Sequence, residues 1–154
     1  MTADPLLRAW RSAMTHAVNL STNDVDVLSG LTAEITALIQ LRNDWSHGTW
    51  MIGYGDEAEW SSGALVRLKN SAKGVASPTK LNMAPSAEYI EKVASHVAVV
   101  HAAVFSFSTT VELLQDRVTT VSPSDRVQVV KQSGQREIRV AANGVDWRSS
   151  RLPQ

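Results

Sequence analysis

The stretch that decides the fold is Ile90–Val118, IEKVASHVAVVHAAVFSFSTTVELLQDRV, in which Ile90, Val93, Val97, Val100, Val104, Phe107, Val111, Leu114 and Val118 recur at steps of three and four. Apolar residues so spaced form one stripe on an α-helix, because the 3.6-residue turn returns them to the same side. The pattern predicts a long helix over about 86–118. Ser86 is placed to cap its start, and Glu88 suits the positive end of its dipole. From Val93 to Val111 there is no Asp, Glu, Lys or Arg, and this run of 19 residues meets the length test for a membrane span. Ser95, His96, His101, Ser106, Ser108, Thr109 and Thr110 argue against that reading, since each unpartnered polar group in hydrocarbon costs roughly 2–7 kcal/mol. The expected surroundings are the centre of a bundle or an interface with a second copy.

Two more helices are legible on the N-terminal side. Over residues 5–18, Leu6, Leu7, Trp10, Met14 and Ala17 share one side, with Asp4 as N-cap and Pro5 at the first helical position, where its missing N–H is not needed. The next helix begins near Ser21 or Thr22 and aligns Leu28, Leu31, Ile35, Leu38, Arg42 and Trp45 at alternating steps of three and four. Ser46-His47-Gly48 should end it, with Gly48 free to adopt the left-handed conformation of a helix terminus.

Beyond Gly48 the period changes. Thr49–Tyr54 and Ala64–Leu68 are rich in β-branched and aromatic residues, and the segment between them supplies loop chemistry, so a small β-hairpin insert is expected over about 49–69. Residues 70–85, polar and holding Gly74, Pro78 and Pro85, read as a loop. After Pro123, alternation over Arg126–Val130 and Arg136–Val140 about Ser133-Gly134-Gln135 suggests a second hairpin, followed by a polar tail from Ala142. Residues 122–154 are thus read as either a C-terminal hairpin or a flexible tail. The expected fold class is mostly α, with a helical domain over 1–121 that carries the hairpin insert.

The length suits one domain, which near this size buries roughly 68–70% of the surface exposed by the unfolded chain. With no cysteine, the sequence excludes disulfides, thiolate metal sites and a cysteine nucleophile. Fifteen basic and fifteen acidic side chains give zero formal charge, so nucleic acid would be met by a local patch and not by the field of the whole chain. The first residues, Met1-Thr2-Ala3-Asp4-Pro5, hold no basic segment followed by an apolar one. A cytoplasmic location without a membrane partner is the expectation.

Arg42 is the odd member of its stripe. A guanidinium among Leu, Ile and Trp requires a counter-charge, a phosphate or a route to solvent. An ion pair with Asp44 or another acid, or snorkelling at the helix end, competes with a functional role. His47 lies five positions on, about 140° around an unbroken helix. The two side chains converge only if the helix bends or ends between them.

The segment Leu41-Arg42-Asn43-Asp44-Trp45-Ser46-His47-Gly48-Thr49-Trp50 resembles the Arg-(four to six residues)-His motif of the HEPN superfamily, including the polar residue after the arginine and the glycine after the histidine. The likeness is close over these residues and looser over Leu6–Val118. It implies a helical bundle that dimerises and brings two motifs into one cleft. Many members are metal-independent endoribonucleases of toxin–antitoxin or defence systems, without a cofactor, while others are inactive dimerisation or partner-binding modules. Carried over, His47 would be the general acid or base, Arg42 would hold the scissile phosphate, and Asn43 would orient one of them. The implied products carry 2′,3′-cyclic phosphate and 5′-hydroxyl ends. The implied partners are a second copy, an RNA substrate and an antitoxin or regulatory protein. The hairpin insert and the long C-terminal segment depart from the minimal bundle, and Tyr54 lies later than the family's tyrosine, so no role is assigned to it.

Around the motif, Trp50 and Trp60 are candidates for stacking on unpaired bases, against core packing as the plainer reading. Arg67, Lys69, Lys73 and Lys80 form a basic stretch able to guide a phosphate backbone, against a solvated loop. His96 and His101, five apart, are poorly spaced for one metal and are read as satisfied, partly buried histidines. A helical bundle unrelated to HEPN, oligomerising through the long seam, is the third reading.

Overall fold

The computed structural model describes residues 3–47, 49–51, 64–70, 76–83, 86–142 and 146–153. For Ala3, His47, Ala142 and the strands between 49 and 83 it is the backbone that is described. Helix predominates. The order is α1 (Ala3–Ala17), α2 (Thr22–His47), β1 (Thr49–Met51), β2 (Ala64–Asn70), β3 (Ala76–Met83), α3 (Ala87–Gln115), α4 (Pro123–Arg126), β4 (Val127–Gln132), β5 (Gln135–Ala142) and β6 (Asp146–Arg151). The chain divides into two compact units, Met1–Leu38 with Glu91–Gln154, and Ile39–Ile90.

The helix boundaries follow from local chemistry. Ser21 caps α2: the Asp24 N–H donates to its Oγ at 3.2 Å, and the Ser21 N–H donates back to Asp24 Oδ2 at 3.0 Å, the reciprocal pairing of a capping box. Ser86 caps α3 as expected, accepting from the Tyr89 N–H at 3.1 Å. The far end of α3 falls short of Val118. The Arg117 N–H bonds to the Leu114 carbonyl and the Val118 N–H to the Leu113 carbonyl, a Schellman ending with Arg117 at φ 58° where glycine is usual. Without a glycine to mark it, the stop was invisible to periodicity.

In the first unit, Val27, Leu28 and Leu31 of α2 pack with Val100, Ala103, Phe107 and Val111 of α3 and with Val127, Ile138 and Val140 of the C-terminal strands. Trp10, Met14 and Ala17 of α1 close one side, the Trp10 ring meeting Phe107 edge-on at 6.4 Å and its Nε1–H donating to Ser108 Oγ. Leu6, expected on that inner side, is exposed. The buried line of α3 runs Val93, His96, Val100, Ala103, Phe107, Thr110 and Val111. Val97, taken as a seam residue, is 45% exposed, and Phe105 is 68% exposed. Apolarity alone picks the wrong edge of this helix, because a polar side chain that meets a buried partner can replace a valine inside. Among the described residues, one side of α3 is enclosed by the chain itself. The helix is long and apolar enough to cross a membrane, and 28% of its most apolar window is buried in the chain.

The C-terminal hairpin is present and gains a strand. β4 and β5 are antiparallel with Val127 opposite Val140, joined through Ser133 (φ 52°) and Gly134 (φ 80°), the two positive values of a type I′ turn. β6 pairs with β5, where the sequence suggested only a polar tail. Its alternation is weak because one of its sides is polar throughout. Gly30 is needed where α2 meets this sheet: a Cβ there would stand 2.7 Å from Val129 Cγ1.

In the second unit, β1, β2 and β3 form an antiparallel sheet in that order, with Trp50 opposite Leu65 and Arg67 opposite Thr79. The insert is therefore three-stranded, and Ala76–Met83, read as loop, is a strand despite Pro78. As an outer strand it tolerates proline, whose missing N–H matters only on a paired side. The last turn of α2 and the first of α3 meet in this unit through Trp45 and Tyr89, with ring centroids 6.3 Å apart.

Candidate functional site

The Arg42-Asn43 pair and His47 occupy the last turns of α2, which is helical through His47. Arg42 and His47 are therefore about 140° apart around the axis, whereas Asn43 and His47, four apart, differ by only about 40°. Arg42 is exposed, because the buried residues of α2 end at Glu34 and the apolar stripe has left the core before it reaches position 42. Its guanidinium makes no ion pair among the described residues, and Nη1 donates to Asn43 Oδ1 at 3.3 Å. The pairing with Asp44 weighed from sequence is not formed; Asp44 accepts from Gln40 Nε2 at 2.7 Å. The outcome is a cation at a helix end, lightly held by the neighbouring amide. The side chains of His47, Trp50, Arg67, Lys69 and Lys80, with all of Gly48, Tyr54, Trp60 and Lys73, lie outside the described residues.

A second constellation, in the first unit, escaped the sequence reading except for His96. The His96 ring is fully buried; Nε2 donates to Glu34 Oε1 at 2.9 Å, and Nδ1 lies 3.2 Å from Ser150 Oγ. A carboxylate can only accept, which fixes the hydrogen on Nε2. Arg136 Nε donates to Glu34 Oε2 at 2.7 Å, so both carboxylate oxygens are engaged. Burial acts to raise the Glu34 pKa, but the bonds from His96 and Arg136 outweigh it and hold the carboxyl below its ordinary range. The order hydroxyl, imidazole, carboxylate is that of a nucleophilic triad. Yet the small cavity of about 170 Å³ beside it is lined by Glu34, Gly134, Gln135, Arg136, Leu152 and Pro153, not by His96 or Ser150. With the imidazole enclosed and the acid neutralised by Arg136, the cluster acts as a clamp joining α2, α3, β5 and β6. Glu34 was legible in principle: it follows Leu31 by three, on the buried side of α2.

His101, by contrast, is exposed. No group of three metal-ligating side chains occurs among the described residues. Comparison with family models, with curated proteins and with solved structures finds no match to this chain.

Proposed function

We propose that the chain is a HEPN-type, metal-independent endoribonuclease of a cytoplasmic defence or toxin–antitoxin system, acting as a homodimer through Arg42, Asn43 and His47. The observation that carries this reading is the exposed Arg42 guanidinium, which has no acidic partner among the described residues and rests on Asn43. A cation so left is available to a phosphate, and its planar fork of donors fits two phosphate oxygens at once. In the proposed reaction the RNA 2′-oxygen attacks the adjacent phosphorus, the bond to the 5′-oxygen breaks, and a 2′,3′-cyclic phosphate and a 5′-hydroxyl result. His47 moves the proton, as acid or base, a role typically worth about 10²–10⁴-fold. Arg42 neutralises charge growing on the phosphate oxygens.

Purified protein is expected to cleave single-stranded RNA in EDTA, and Arg42→Ala and His47→Ala to abolish cleavage while helicity is retained. Undiminished cleavage by the His47 variant would sink the mechanism. One observation favours the other reading, an inactive dimerisation or partner-binding module: Phe105 stands 68% exposed on a helix with no charge between Val93 and Val111. That reading predicts no cleavage at any pH.

A further inference from the structure

The register of the C-terminal sheet sorts its side chains cleanly. Val127, Val129, Ile138 and Val140 face the core. Residues of the opposite parity, Gln128, Val130 and Gln132 on β4, Glu137, Arg139 and Ala141 on β5, and Trp147, Ser149 and Arg151 on β6, share the outer side. Successive pairs Ala141/Trp147, Arg139/Ser149 and Glu137/Arg151 step along it at roughly 7 Å, two strand residues each.

We propose that this outer face binds single-stranded RNA, with Trp147 stacking on a base and Arg139 and Arg151 meeting the phosphate backbone. The proposal shares with the ribonuclease reading its choice of RNA as ligand, but none of its catalytic residues. Glu137 organises the face. Arg139 Nε donates to its Oε1 at 2.7 Å and Arg151 Nε to its Oε2 at 2.9 Å, while Arg151 Nη2 also reaches Gln132 Oε1. These bonds hold the Glu137 carboxyl below its ordinary range, so it remains an anion that fixes two cations side by side. Two guanidiniums against one carboxylate leave the face net positive. The Nη groups of Arg139 have no partner among the described residues, and its side chain is 39% exposed.

Trp147 is 42% exposed and makes no ring contact among the described residues. An open indole on the same sheet face as two fixed guanidiniums, Arg139 one row away and Arg151 two, is a combination that single-stranded nucleic acid uses, since every base offers a π-face and every linkage a negative charge. Ser149, Gln128 and Gln132 add hydrogen-bonding groups, and the two aliphatic side chains of the face, Val130 on β4 and Ala141 on β5, are both half-buried.

The test uses the full chain carrying His47→Ala, so that a ligand cannot be cleaved, and fluorescence anisotropy with a labelled single-stranded RNA of about a dozen nucleotides. Trp147→Ala is expected to weaken binding about tenfold and Trp147→Phe to restore most of it. The triple change Arg139→Gln, Glu137→Gln, Arg151→Gln removes both cations without stranding the carboxylate. It should reduce the dependence of log Kd on log salt by about 1.4, the value for two phosphate contacts to a single strand. Binding that is indifferent to both sets of changes overturns the proposal. So does absence of RNA binding by the chain with the face unaltered. If the wild-type chain binds through these residues and cleaves nothing, the ribonuclease reading fails and this proposal stands.

Discussion

Asp24→Ala should separate a local cap from a tertiary tie. The Asp24 carboxylate accepts from the Ser21 N–H and hydroxyl through Oδ2, and from the Ser122 hydroxyl and the Ser124 N–H, at 2.8 Å, through Oδ1. One oxygen closes the N-terminus of α2; the other holds the start of α4, about a hundred residues away in sequence. Burial works to raise its pKa, but bonds from Ser122, Ser21 and Ser124 prevail and bring it to about 2. Against about 3.9 in the unfolded chain, the difference corresponds to about 2.5 kcal/mol. Loss of a helix-capping side chain typically costs about 0.5–2 kcal/mol, so a net loss of roughly 1–2 kcal/mol is expected.

The folded pKa is the lower one, so the contribution is complete above about pH 4 and drains away as the pH falls towards 2. Urea unfolding followed by circular dichroism at pH 7, 4 and 2.5 is the assay. At pH 7 the variant should lose roughly 1–2 kcal/mol, with a melting temperature lower by about 2–8 °C. The gap should narrow steadily below pH 4. Glu34 and Glu137 titrate in both proteins, so their acid sensitivity cancels in the difference. A gap that stays constant from pH 7 to 2.5 would refute the charge argument, and no gap at pH 7 would refute the tie itself.

Two further expectations concern packing in the same unit. Gly30→Ala ordinarily gains about 1 kcal/mol of helix propensity, but its Cβ would stand 2.7 Å from the stiff Val129 side chain, so a net loss of about 1–2 kcal/mol is expected, recovered in Gly30→Ala with Val129→Ala; chemical denaturation of the single and double variants measures both. His96→Leu leaves Glu34 Oε1 buried without its donor and should cost about 3 kcal/mol, whereas His96→Leu, Glu34→Leu and Arg136→Leu together, which leave no charge of the clamp without its counterpart, should return to within about 1 kcal/mol of wild type. A neutral single variant in thermal melts would show that the clamp adds nothing.

What periodicity reveals and what it hides differ in kind. The three long helices and the hairpin through Ser133-Gly134 were legible because each rests on local chemistry: a repeat of three and four, a capping serine, a turn pair able to take positive φ. β3 and β6 were not, because their places are set by pairing with a strand already present, and Pro78 or a polar surface disguises them. The inner edge of α3 was misjudged for the same reason. His96 goes inside only because Glu34, sixty-two positions away, meets it, and Val97 turns outward in consequence. Arg42 shows the reverse case. Its place on an apolar stripe demanded a partner only while that stripe was assumed to stay buried, and α2 leaves the core before reaching it. The residue is thus no strained exception in an apolar seam but an exposed cation beside Asn43, with the route to solvent that a helix end provides and no ion pair among the described residues. The chemistry proposed for it now depends on one quantity, the loss of RNA cleavage when Arg42 or His47 is removed from a chain that still folds.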